Sequence, residues 1–333
     1  HMEAFGFQLN AGGKIKKAII PIAGAIIGFI GDSLETDETT SFDDSGNSSL
    51  TDFNIQQDTS RSDYNYNFQK NSGGVYIYQN HLYLATGDQL LKYDSTLENK
   101  EVLEEGSCDH LYVDDRGYFY LQYGDLIFAD HQNNKKTLLN DAYDCYVLDQ
   151  SIFYIQNDNL YCLTIDDQMN KVDNKKIKEN VNHFSIDDQS QRILYENLNY
   201  KNQLIDFNGN VLKKDVDSYD DCYFSNGLLY YRTYQGIYYV DLDTQEEKGL
   251  KEVDNIYRFA LARDEANQQD IAYVESFDDQ LDAYVGDEQY AIYDDARDYF
   301  VAGQYVVFYA YDDDYSQHYF IGNSEGMYTS IGE

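Results

Sequence analysis

The chain has no tryptophan, one proline, four cysteines and only 24 basic residues in 333. Each shortage excludes something. Against those 24 stand 60 acidic residues, and the net charge of −36 gives a surface that repels phosphate backbones and anionic lipid heads, so nucleic acid is excluded as a partner. Cys108, Cys145, Cys162 and Cys222 are too few and too widely spaced for a disulfide framework and show no zinc spacing. They read as small, buried apolar side chains. What the chain has in plenty is tyrosine, 35 residues, beside 17 phenylalanines. Tyrosine favours strands, and its apolar ring with a polar tip suits positions half in a core and half in water.

The aromatic residues are ordered. A short apolar strand, a polar turn and a second strand carrying Tyr or Phe recur five times, beginning near Val75, His110, Cys145, His183 and Cys222. The corresponding positions Tyr76, Leu111, Tyr146, Phe184 and Tyr223 lie 35, 35, 38 and 39 residues apart, a repeat period. The second unit reads as strands over 111–113, 118–122, 125–129 and 136–139, with turn residues at Asp114-Asp-Arg-Gly117, Tyr123-Gly124 and His131-Gln-Asn-Asn134. Two further units follow from Tyr257 and Phe300, less regularly; Ala260 to Asn267 reads there as a possible helical turn. Units of four short strands cannot each close a core, but set radially they bury both faces against their neighbours. The expectation is an all-β propeller of about seven four-stranded antiparallel blades over 75–333.

Residues 1–31 are of another kind. Lys14, Lys16 and Lys17 precede an uncharged run of 13 residues, 18–30, containing Ile19, Ile20, Ile22, Ile26, Ile27, Phe29 and Ile30. As a helix this run would span about 20 Å, short of the roughly 30 Å hydrocarbon layer. It suits a signal, a short anchor or an assembly contact, with the lysines inside and the acidic chain exported to the extracellular side or cell surface. Residues 32–74 read as an acidic flexible linker, since Asp32 to Asp63 holds nine acidic residues against one arginine and too few apolar side chains to offset ordering. Within the linker, Tyr64 to Phe68 alternates like an extra strand.

Blades here carry Leu-Tyr or Tyr-Tyr on the second strand and a run ending in Asp on the third, as in Leu82-Tyr83 with Leu90-Leu-Lys-Tyr-Asp94, and Leu229-Tyr-Tyr231 with Tyr238-Tyr-Val-Asp-Leu242. In these features the region from 75 to 333 resembles the bacterial surface propellers, YWTD-like or of unknown function, found behind a short N-terminal membrane anchor in Gram-positive organisms. A Tyr-Trp-Thr-Asp motif is absent. The resemblance implies the fold and a surface location but no activity, because one propeller scaffold hosts binders and several enzyme classes.

No nucleophile, metal or cofactor motif stands out: there is no Gly-x-Ser-x-Gly, arginines are scattered over several units, and the tryptophan on which quinone-dependent propellers stack their cofactor is missing. Paired carboxylates at Asp114-Asp115, Asp187-Asp188 and Asp278-Asp279 leave open a glycan hydrolase built on two of them. However, Asp114, Asp149, Asp187 and Asn226 share one repeated turn position, where such residues serve the backbone. Asp312, Asp313 and Asp314, or alternatively Asp278, Asp279 and Asp282, form the candidate calcium site, because Ca²⁺ takes carboxylate and carbonyl oxygens. Tyr309, Tyr311 and Tyr315 are the candidate binding aromatics. The leading reading is a non-enzymatic surface propeller that binds protein or glycan through loops on one face and meets a membrane only through its N-terminal segment. The alternatives are a homo-oligomeric or filament subunit packed through that segment, and the carboxylate hydrolase.

Overall fold

The computed structural model describes residues 54–55, 74–217, 222–225, 227–264 and 266–332. Among them the regular structure is all β, 28 strands in seven four-stranded antiparallel sheets, each built from four strands consecutive in sequence. The blades, 1 to 7, span 75–105, 109–139, 144–179, 181–216, 223–252, 256–293 and 298–331. The second blade has strands at Asp109–Val113, Gly117–Gln122, Asp125–Asp130 and Lys135–Leu139, close to the strands its turn residues predict.

The sheets form a closed ring. First strands of neighbouring blades approach one another, including those of blades 7 and 1, which places them innermost. The apolar clusters lie between blades: one joins blades 1, 2 and 3, and others join 3 to 4, 4 to 5, 5 to 6, 6 to 7 and 7 to 1. No blade holds a core of its own, so each is stable only between two others.

This explains the one element that reads differently from sequence. Residues 260–264 belong to the nine-residue strand Ile256–Asp264, the first of blade 6. Phe259 and Leu261 pack toward blade 5 while Ala260 and Ala262 pack toward blade 7. Both faces are buried, so the apolar–polar alternation that marks a strand is missing, and small alanines mimic a helical turn.

The abundance of tyrosine also follows from this packing. Tyr120 is fully buried, yet its hydroxyl donates to Glu104 of the preceding blade at 2.6 Å. Likewise Tyr223 donates to the Phe259 carbonyl of the next blade at 3.3 Å. A tyrosine ring fills the gap between sheets while its hydroxyl satisfies a polar group near the surface.

Lysine has a place of its own. Of the 13 lysines among the described residues, Lys92 and Lys201 apart, all lie on fourth strands, such as Lys135 and Lys136 or Lys175, Lys176 and Lys178. These are the outer edges, where charged side chains discourage a foreign strand from pairing. Acidic residues share these strands, Glu101, Glu104 and Glu105 among them, and also crowd the turns.

The anchor residues Lys14, Lys16, Lys17, Ile19, Ile20, Ile22, Ile26, Ile27, Phe29 and Ile30, and the proposed strand at Tyr64 to Phe68, lie outside the described residues. Within the span read as linker, Ile55 is buried in the cluster between blades 7 and 1, and its N–H donates to the Ser95 carbonyl at 2.8 Å.

Candidate functional site: one aromatic face

In an up-and-down sheet the turn between the second and third strands lies at the opposite end from the other two turns. The crossovers to the next blade leave from that same end, as backbone hydrogen bonds show: Gly106 N–H donates to the Asp88 carbonyl at 2.6 Å, Ala142 to Gly124 at 2.8 Å, Val181 to Asp158 at 2.9 Å and Ala296 to Asp279 at 3.0 Å. The ring therefore has a crossover face, built of second turns and crossovers, and an opposite face, built of first and third turns.

The two faces differ in one residue class. At the tips of the second turns of blades 2, 4, 5, 6 and 7 stand Tyr123, Tyr200, Tyr234, Phe277 and Tyr315, exposed by 84%, 74%, 88%, 54% and 86%. Tyr143 joins them from a crossover and Tyr257 from the start of blade 6's first strand, and the Tyr257 and Phe277 rings meet at 5.3 Å between centroids. Among the described residues the turns of the opposite face expose no large apolar side chain; of the remaining exposed ones, Leu198 and Tyr311 also lie at the crossover face and the others, such as Val172 and Leu212, on outer strands.

Three of these tyrosines occupy backbone that disfavours them. Tyr123, Tyr200 and Tyr315 have φ of 51°, 59° and 61°, in the left-handed region where a side chain crowds its own carbonyl and Gly or Asn is the usual occupant. The cost is on the order of 1 kcal/mol each, and exposed rings recover little of it by packing.

Closer to the axis on this face, two charge clusters tie neighbouring blades. His110 sits at a bulge in the first strand of blade 2, its Nδ1 2.8 Å from Asp109 and its Nε2 3.0 Å from Asp144 of blade 3. Burial alone would push the imidazole down, but the two carboxylates outweigh it and hold it up at about 9. Between blades 6 and 7, Arg258 pairs with Glu275 and Asp298, each at 2.5 Å, and its guanidinium lies 4.6 Å from the Tyr299 ring centroid. The opposite face has its own tie: Arg192 pairs with buried Asp187 at 2.9 Å and with Asp243 of blade 5 at 2.8 Å.

The structure sorts the candidates from sequence. Tyr311 and Tyr315 lie exposed on the crossover face, while Tyr309 is half-buried beneath them, its ring 5.7 Å from Tyr311 and 5.9 Å from Tyr319. Asp312 caps its own turn: Oδ1 accepts the N–H groups of Asp314 and Ser316 at 2.9 and 2.8 Å, and Oδ2 lies 2.9 Å from His318 Nε2. His318 and these amides hold its carboxyl below the usual range. Asp130, Asp166 and Asp206 cap the third turns of blades 2 to 4 through the same pair of N–H contacts, and Asp94 caps that of blade 1 through the Thr96 N–H and the Asn99 side chain. Asp114 and Asp187 likewise serve their own turns, gripping Arg116 and Arg192. Among the described residues no three His, Cys, Asp or Glu side chains gather as a ligand set. All four cysteines are free, Cys108 and Cys145 fully buried, and burial raises both thiols.

Reading the sequence one motif at a time missed Tyr123, Tyr143, Tyr200, Tyr234, Tyr257 and Phe277. The signal was available once repeats are superposed: an aromatic residue stands at a tight turn, where Asn157-Asp158 of blade 3 shows the residue types the backbone prefers.

No family model and no curated protein matches the chain. Among solved structures it is similar to a puromycin-hydrolysing peptidase of Mycobacterium tuberculosis, at TM-score 0.57 and 9% identity, over 78% of this chain and 52% of that one. It is similar also to the dihydro-heme d1 dehydrogenase NirN, at TM-score 0.50 and 13% identity over 76% and 64% of the two chains. The WD40 propeller domain of Doa1 follows at 0.48 and 11%, over 76% and 89%. The chain thus spans about half the length of the peptidase and most of the Doa1 domain. At these identities the likeness is one of fold.

Proposed function

We propose that this propeller is a non-enzymatic binding scaffold whose partner is a protein, engaged through the crossover face. The observation that carries the reading is the placing of Tyr123, Tyr200 and Tyr315 at exposed turn tips in left-handed backbone, a local cost of which the folded ring recovers little by packing. Exposed tyrosines on rigid turns are good interface anchors, since few rotamers are lost when they are covered. The fold itself admits enzymes, the peptidase and the dehydrogenase being examples. The binding reading rests instead on Asp114, Asp187 and Asp312 serving their own turns and on the raised, buried thiols. Exposure at the cell surface, with residues 1–31 as the tether and an affinity to the YWTD-like surface propellers, completes the proposal and accounts for the acidity.

The test places a photo-crosslinking amino acid in the full-length protein at Tyr234 or, on the opposite face, at Gln132. Adducts formed from position 234 and not from 132, in the producing cell, support the reading. Adducts from 132 alone overturn it.

A further inference from the structure

Resting on the crossover face as the binding surface, we infer that the partner presents a cationic, lysine- or arginine-rich protein segment to it. Charge and aromaticity answer separate questions here. Both faces are acidic, so charge sets the class of partner but not the face. The second turns and crossovers carry Asp88, Asp141, Asp158, Asp254, Asp278 and Asp294, among others, against two cations in the same segments, Lys201 and Arg297. Arg297 is already paired, with Asp279 at 3.0 Å and Asp295 at 2.8 Å. An anionic partner meets repulsion at every blade, while a cationic one is drawn to these turns.

Aromatic side chains then select which face. A tyrosine ring attracts an ammonium or guanidinium over its surface, and a carboxylate beside the ring completes the recognition. The protein already holds one of its own cations this way on this face: Arg258, over Tyr299 and between Glu275 and Asp298. At the surface a ring and a carboxylate again stand together. Tyr143 stands beside Asp158 and Asp144, which with burial push its hydroxyl up to about 12, and Tyr315 adjoins Asp313 and Asp314 in one turn. A neutral glycan fits less well. The rings project from five separate blades rather than lining one groove, and the cleft of about 350 Å³ between blades 7 and 1 is lined by Tyr93, Lys100, Gln317 and Tyr319, with none of the projecting aromatics in it.

The test uses the full chain and three probes: a labelled 20-residue peptide of alternating Lys, Arg and Gly, its counterpart with Glu in place of the cations, and chitohexaose. Each is titrated against the parent and a variant combining Tyr123→Asn, Tyr200→Gly, Tyr234→Ser and Tyr315→Gly, which leaves the net charge unchanged. The inference expects binding of the cationic peptide alone, weakened at least tenfold in the variant, and within twofold of the parent in a control carrying Asp115→Asn and Glu325→Gln on the opposite face. Equal binding of the cationic peptide by parent and variant overturns the inference, because the attraction is then general charge. Tyrosine-dependent binding of chitohexaose in place of the peptide overturns the cationic partner while the face survives. Tyrosine independence with every probe removes both.

Discussion

One five-residue turn is used on both faces of this ring with opposite contents. On the opposite face it joins third and fourth strands at 130–134, 166–170, 206–210 and 323–327, and its left-handed position holds Asn133, Met169, Gly209 and Gly326. On the crossover face it joins second and third strands at 197–201, 276–280 and 312–316, and the same position holds Tyr200, Asp279 and Tyr315. Backbone geometry is shared, so the difference lies in what surrounds it. At Gly209 an added Cβ would stand 2.4 Å from the Ile177 carbonyl of blade 3; there the turn packs on a neighbour and glycine is required. Tyr200 and Tyr315 project into solvent, where the backbone still favours Gly or Asn and nothing in the ring favours an aromatic. One face is shaped by folding and the other carries residues that folding does not ask for.

The contrast can be broken or sharpened by substitution, starting with the largest effect. Arg192→Met removes the opposite-face tie and leaves Asp187, 1% exposed, without its guanidinium. The expected loss is about 3–5 kcal/mol, read as a shift of the urea midpoint. On the crossover face the matching tie titrates instead. The folded pKa of His110 lies at about 9, above the ordinary 6.5, so its contribution is complete below about pH 6.5 and disappears as pH rises through 9. Denaturation from pH 6 to 10 should show the parent losing a few kcal/mol relative to His110→Gln across that window. A flat difference would mean that Asp109 and Asp144 do not hold the charged imidazole.

Exchanging turn residues between faces gives smaller effects of opposite sign. Gly209→Tyr should cost about 2–4 kcal/mol, from left-handed strain added to the clash with Ile177. The reverse change, Tyr315→Gly, should raise stability by about 0.5–1 kcal/mol in the same assay while weakening partner binding. Destabilisation by Tyr315→Gly would show that the ring serves the fold after all.

Much of the architecture was legible in advance because blades obey short-range rules. The period of the tyrosines, and turn residues such as Tyr123-Gly124 and His131 to Asn134, mark where strands must end. Where a strand is buried on both sides, as at Ala260 to Asp264, alternation fails and a helical turn reads equally well. The aromatic face was less legible. Tyr309, Tyr311 and Tyr315 stand out as a cluster in one segment, whereas Tyr123, Tyr143, Tyr200, Tyr234, Tyr257 and Phe277 are dispersed over more than 150 residues of chain and only ring closure gathers them. Asp312 to Asp314 show the reverse: adjacency in sequence brings three carboxylates together, and the fold adds that the turn engages Asp312 through the Asp314 and Ser316 N–H groups.

By itself the sequence determined the blade, since strand length, turn position and the pairing of ring with hydroxyl are decided within some 36 residues by local geometry. It determined the character of the surface as well, because a deficit of positive charge survives any arrangement of the chain. The tertiary structure alone decided that there are two unlike faces. Closure turns every second hairpin to one side, so residues that are merely periodic along the chain become neighbours around a ring.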